Sequence, residues 1–115
     1  MDITKKIITE GKYTLSKPLY IQTEHADGNA STPIEITELN LPFLELRGRD
    51  IVEAQEEFVV LNGRELDVFE ANKGFHVYLI SRMSKVPYDT IMDEMAVHDF
   101  SVVTLTAYRF LTRGV

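Results

Sequence analysis

Residues 81–100, SRMSKVPYDTIMDEMAVHDF, bring serines, carboxylates, a histidine and methionines close together. Asp89 and Asp93 are four residues apart, so a helix would set both carboxylates on one face, where they could hold a cation. A calcium loop needs oxygen ligands at alternating positions around a central glycine, and this stretch has no such arrangement. The pair therefore reads as a solvated acidic face that stabilises a helix start through the macrodipole. Ser81, Ser84 and Ser101 lack a GxSxG elbow or a positioned base, so nucleophilic catalysis is unsupported. The three histidines, His25, His76 and His98, show no HExxH or comparable metal spacing. His25 falls in a turn-rich stretch, His76 borders an apolar stripe, and His98-Asp99 has the look of a helix entry. An enzyme would need one of these imidazoles to converge with Asp89 or Asp93.

The chain has no cysteine, which removes disulfides, thiolate zinc sites and thiol nucleophiles together. The glycines of RGRD, NGRE and NKG lie beside basic residues but form neither GxGxxG nor GxxxxGK[ST]. No catalytic residue, metal ligand or cofactor is expected, and the chain reads as non-enzymatic. A net charge of −6 opposes a basic nucleic-acid footprint, so no nucleic acid is expected as a partner. No stretch approaches the about eighteen apolar residues of a membrane span, and MDITKKIITEGKY lacks the apolar core of a secretion signal. A cytosolic protein, with no membrane partner, is the expectation.

The elements that must position these residues can be read from periodicity. At 115 residues the chain suits one domain. Residues 1–12 are polar and are expected to fray, although Ile3, Ile7 and Ile8 suit a short helix or strand. The domain proper is placed at 13–115, with a hairpin over 13–41 and a helical part over 50–112. In YTLSKPLYIQT, Leu15, Leu19 and Ile21 suggest a strand, with Pro18 marking an edge or bulge. After the turn chemistry of Asp27-Gly28-Asn29, Ile34, Ile36, Leu39 and Leu41 nearly alternate with polar residues. Asp50 then reads as an N-cap with Glu53 three residues on. Ile51, Ala54, Phe58 and Leu61 share a helical face that Gly63 terminates.

A second helix is expected over about Leu66–Lys85, with an apolar stripe of Val68, Ala71, Phe75, Leu79 and Met83. Within it Gly74 marks a kink, a break or close approach by another element. Pro87 redirects the chain, and Tyr88, Ile91, Met92 and Met95 suggest a short third helix. The last segment, HDFSVVTLTAYRFLTRG, carries strand-favouring Val and Thr, yet Phe100, Val103, Ala107, Phe110 and Leu111 cluster at helical spacing. It is read as a helix capped by Asp99 or Ser101 and ending at Arg113-Gly114. The fold class is α+β: an N-terminal β-hairpin followed by three to four packed α-helices.

One surplus stands out. Val102, Leu105 and Tyr108 lie away from the core stripe of the last helix, and a helix apolar on more than one face sits between layers or meets another protein. Met92, a flexible thioether, joins them as a candidate partner-binding residue.

The order of these pieces resembles the small tail assembly chaperones of tailed bacteriophages and prophages, encoded between the tail tube and tape measure genes. The resemblance runs from about Tyr13 to Leu111. It is carried by a Lys-Pro strand, a Thr-Glu-Leu strand, and Gly48-Arg49-Asp50 opening a helix with Glu53-Ala54. Ser81-Arg82-Met83-Ser84 before Val86-Pro87, and Asp99 entering a last helix, complete it. Lys85 stands where that family often has a small residue. The resemblance implies binding of newly made tape measure protein, with tail tube subunits as a second client and a homo-oligomer as an option. It implies action in the host cytoplasm and absence from the mature virion. The alternative function is a structural tail component, such as a tail-completion or connector subunit, retained in the particle.

Overall fold

The computed structural model of the chain describes residues 2–22, 33–63 and 68–113; the loop at 24–33, with His25, lies outside them except for Pro33, as does the expected stop at Gly114. The fold is α+β. Helix α1 (Ile3–Glu10) precedes an antiparallel hairpin of β1 (Lys12–Gln22) and β2 (Pro33–Asn40). Helices α2 (Gly48–Asn62), α3 (Lys73–Ser84), α4 (Tyr88–Glu94) and α5 (Val97–Arg113) follow, with 3-10 turns at Phe43–Glu45 and Phe69–Ala71.

Of the segment expected to fray, Ile3–Glu10 instead forms the short helix that Ile3, Ile7 and Ile8 also suited. Asp2 caps α1, accepting from the Thr4 amide at 3.0 Å and the Thr4 hydroxyl at 2.7 Å. Thr4, Ile7 and Ile8 are buried, and α1 lies against α5. Arg109 of α5 reaches back to Asp2 at 2.6 Å and Thr4 at 3.1 Å. A short, mostly polar segment is thus ordered by docking rather than by propensity, which is how most protein helices gain stability. Gly11 makes the joint to β1: its φ of 72° closes α1, and its carbonyl accepts from the Leu41 amide at 2.7 Å beside β2.

The hairpin carries a large irregularity. Tyr13 pairs with Leu39 and Thr14 with Glu38, but Leu19 pairs with Ile36, so β1 holds extra residues between Thr14 and Leu19. Ser16, Lys17 and Pro18 lie in this bulge. Pro18 has no N–H to offer a ladder, so a bulge is where a strand can accommodate it. On the inner face Tyr13, Leu15, Leu19 and Leu39 are buried, whereas Ile34, farther from the Leu39 end of β2, is exposed.

Helix α3 forms the centre, burying Phe75, His76, Val77, Leu79, Ile80 and Met83. Phe58 of α2 and Phe69 of the 3-10 turn meet Phe75 edge-on at 5.8 Å and 5.3 Å, while Phe43 packs on Phe110 of α5 at 5.0 Å. Each fully buried large side chain contributes about 1.5–3 kcal/mol. Several helix details differ from the periodicity reading. α2 starts at Gly48, so Asp50 is not the cap; it sits one turn in and accepts from the Arg47 amide at 2.8 Å. Leu61, expected in the core, is 54 % exposed, because only Ala54 and Phe58 of α2 reach the interior.

The helix expected from about Leu66 begins at Lys73, capped by Asn72, whose side chain accepts from the Phe75 amide at 2.9 Å. Val68 and Ala71 therefore leave the stripe and are exposed. Gly74 marks close approach: an added Cβ would lie 3.1 Å from Phe58 Cζ and 3.1 Å from Asn72 Oδ1. α3 ends at Lys85 in the left-handed region, φ 65°, before Val86-Pro87 turns the chain into α4. In α5, Thr104 and Thr106 are buried, their hydroxyls donating to the Phe100 and Val102 carbonyls at 2.8 and 2.7 Å. That back-bonding lets threonine fill a helix interior as a small apolar residue would.

Candidate docking face and the polar staples behind it

Two of the serines that looked chemical in the sequence have structural partners. Ser81 donates to the Val86 carbonyl at 2.6 Å and Ser84 accepts from the Val86 amide at 3.3 Å, fastening the corner between α3 and α4, while the Ser84 hydroxyl donates back to the Ile80 carbonyl within α3 at 2.8 Å. Arg82 pairs with Glu57 of α2 at 2.5 Å and lies 3.9 Å from Glu53; Tyr78 donates to the same Glu57 at 2.5 Å. The hydroxyl of Tyr78 and the Arg82 guanidinium hold the Glu57 carboxyl below the usual carboxylate range. Asp89, Asp93 and His98 are exposed, Asp89 and Asp93 on α4 and His98 on α5. Among the described residues, no three His, Asp or Glu side chains gather as a metal ion would need.

Asp99, expected as a helix cap, is not one: α5 begins at Val97, and Asp99 lies in its first turn with its carboxylate turned to β1. It is 0 % exposed, and its carboxylate accepts from the Tyr13 hydroxyl at 2.7 Å. It also accepts from the Ser16 amide at 3.0 and 3.1 Å, the Ser16 hydroxyl at 3.0 Å and the Lys17 amide at 3.4 Å. The bulge of β1 turns these backbone N–H groups away from β2, and buried amides need an acceptor. One ionised carboxylate from α5 supplies it. Burial works against the charge, but the Tyr13 hydroxyl and the Ser16 and Lys17 groups outweigh it and hold Asp99 below the ordinary 3.8. Burial and the adjacent carboxylate push Tyr13 far above the ordinary 10.0. The Lys-Pro strand and Asp99, 82 residues apart in sequence, are thus two halves of one staple.

The candidate partner-binding residues divide. Leu105 is 44 % and Tyr108 39 % exposed on α5, and both line a notch of about 200 Å³ completed by Ala71, Lys73, His76, Ser101 and Thr104. Val102 is half-buried against the core. Met92 is 45 % exposed but belongs to α4 and is not among the residues lining this notch. The structure therefore brings Leu105 and Tyr108 together and leaves Met92 apart. Sequence reasoning missed Lys73 and His76 as their neighbours. His76 is buried and donates through Nε2 to the Glu70 carbonyl at 2.5 Å, with its ring 6.2 Å from that of Tyr108. Burial pushes its imidazole below the ordinary range, so it is neutral at pH 7. An apolar ledge with one cation and no paired acid and base is equipped to hold a side chain.

Comparison of the chain with protein-family models, curated proteins and solved structures finds no match.

Proposed function

We propose that this protein is a non-enzymatic tail assembly chaperone of a bacteriophage or prophage. It captures tape measure protein, and tail tube subunits as a second client, in the host bacterial cytoplasm, and is left out of the mature virion. The observation that supports it best is the pair Leu105 and Tyr108, held exposed on a helix whose opposite face is buried. A client helix laid along α5 would cover them, and helix-in-groove association draws its affinity from such apolar anchors. The surplus of acids keeps the free protein soluble between encounters. Among the described residues no helix is long and apolar enough to cross a membrane.

Leu105→Glu tests the reading. Co-purification of tape measure protein should be lost while the helical circular-dichroism signal stays unchanged. Loss of the fold would place Leu105 in the core and remove the argument. Mass spectrometry of purified virions separates this function from a retained tail-completion or connector subunit, because a chaperone is missing from the particle.

A further inference from the structure

The notch beside Leu105 and Tyr108 has a wall with unmet chemistry. The Glu70 carbonyl can only accept, so the Nε2 that faces it carries the proton of the neutral His76 imidazole. Nδ1 is then a bare acceptor, and it is buried with no hydrogen-bond partner among the described residues. A native fold seldom leaves such a group unmatched without a reason. Tyr108 lies over the imidazole with the rings at 66°, is part-exposed, and its hydroxyl has no protein partner among the described residues. At 39 % exposure it is the part of this wall that solvent, or an incoming ring, can reach. Of the residues lining the notch, Lys73 alone carries charge at neutral pH.

These features select an occupant. A cationic donor would be repelled by Lys73. A small hydroxyl or amide side chain would lack the apolar body that covers Leu105. An indole offers an apolar body and one N–H donor with nothing else to pair. We propose that the notch is the anchor socket of the α5 docking face and receives one tryptophan of a client helix. Tyr108 turns aside, the indole N–H donates to His76 Nδ1, and a carboxylate one turn along the client pairs with Lys73. This rests on the docking reading above and names the chemistry of its client.

The chain has no tryptophan, so an added indole is the sole indole emitter in the mixture. The probes are synthetic amphipathic helical peptides with one Trp and a Glu four residues away, titrated with the intact protein. The expected result is a blue shift on binding. A 1-methyltryptophan peptide should bind roughly five- to tenfold more weakly, as one unmade hydrogen bond predicts. Replacing the peptide Glu by Lys should weaken binding, and Lys73→Glu, an exposed substitution, should reverse that preference. His76→Phe should erase the difference between Trp and 1-methyltryptophan; if it does not fold, the Lys73→Glu reversal and the methylation effect still decide. No blue shift, or equal binding of the indole and its methyl derivative, overturns the proposal. Tape measure capture lost in Leu105→Glu despite such a failure would leave the chaperone reading standing; the expected peptide pattern without any capture would do the reverse.

Discussion

Asp99 is the residue on which the sheet depends. Its five contacts come from Tyr13, Ser16 and Lys17, and Asn in its place would turn an N–H₂ toward donors. Asp99→Asn is expected to lower stability by about 3 kcal/mol in urea unfolding at pH 7. The pH dependence follows from the direction of each shift. Asp99 titrates lower folded than unfolded, so its contribution is complete above the ordinary value of 3.8 and disappears as pH falls through its folded value. Tyr13 titrates higher folded than unfolded, so its contribution is complete below 10.0 and declines as pH rises beyond that toward its folded value. Urea midpoints across pH should show Asp99→Asn flattening the acid limb and Tyr13→Phe flattening the alkaline one. Lys85 is strained in the opposite sense, a non-glycine residue at φ 65°. Lys85→Gly should raise stability by about 0.5–1 kcal/mol, since a side chain in the left-handed region costs about that much or slightly more.

At the scale of elements, periodicity located the hairpin, α2, α4 and α5, and it failed where burial is decided by distant partners. Phe58, Phe75, Leu79 and Val103 are core because a repeated apolar face has to be covered. The docking of α1 depends on α5, and the burial of Asp99 on a bulge 83 residues away at Ser16, so no local window contains either. Leu61 and Val68 match a helical stripe but lie beyond where α2 and α3 meet the core. Of the candidate site, Leu105 and Tyr108 could be read because they are surplus to the core stripe. Lys73 and His76 could not, because they come from another helix. Gly74 shows packing overruling propensity. Gly74→Ala should gain up to about 1 kcal/mol from helix propensity, yet its Cβ would meet Phe58 Cζ and the capping Asn72 oxygen at 3.1 Å. The net expectation is a loss of about 1–2 kcal/mol, from overpacking and a disturbed cap, in thermal denaturation.

Across the whole molecule, stability is concentrated around α3, which meets α2, α4, α5 and β2. Helix α2 buries only Ala54 and Phe58, and β2 is largely exposed along its length. Native-state hydrogen exchange should therefore find α3 amides opening only with global unfolding, and α2 and the Pro33–Ile36 part of β2 opening at lower free energy. Asp99→Asn should lower protection at Ser16 and Lys17 before it lowers that of α3. A two-stranded sheet is marginal alone, so the hairpin stands only while the helical layer holds it.

The bond from Tyr13 to Asp99 also orders events during synthesis. Its two ends are 86 residues apart, and the Arg109–Asp2 contact spans 107. The segments a ribosome delivers first must wait for α5 before their amides and Ile7, Ile8 and Leu15 find cover. Translation that stalls ahead of residue 99 would leave a greasy nascent hairpin with no acceptor for its bulge, a natural substrate for chaperones and proteases.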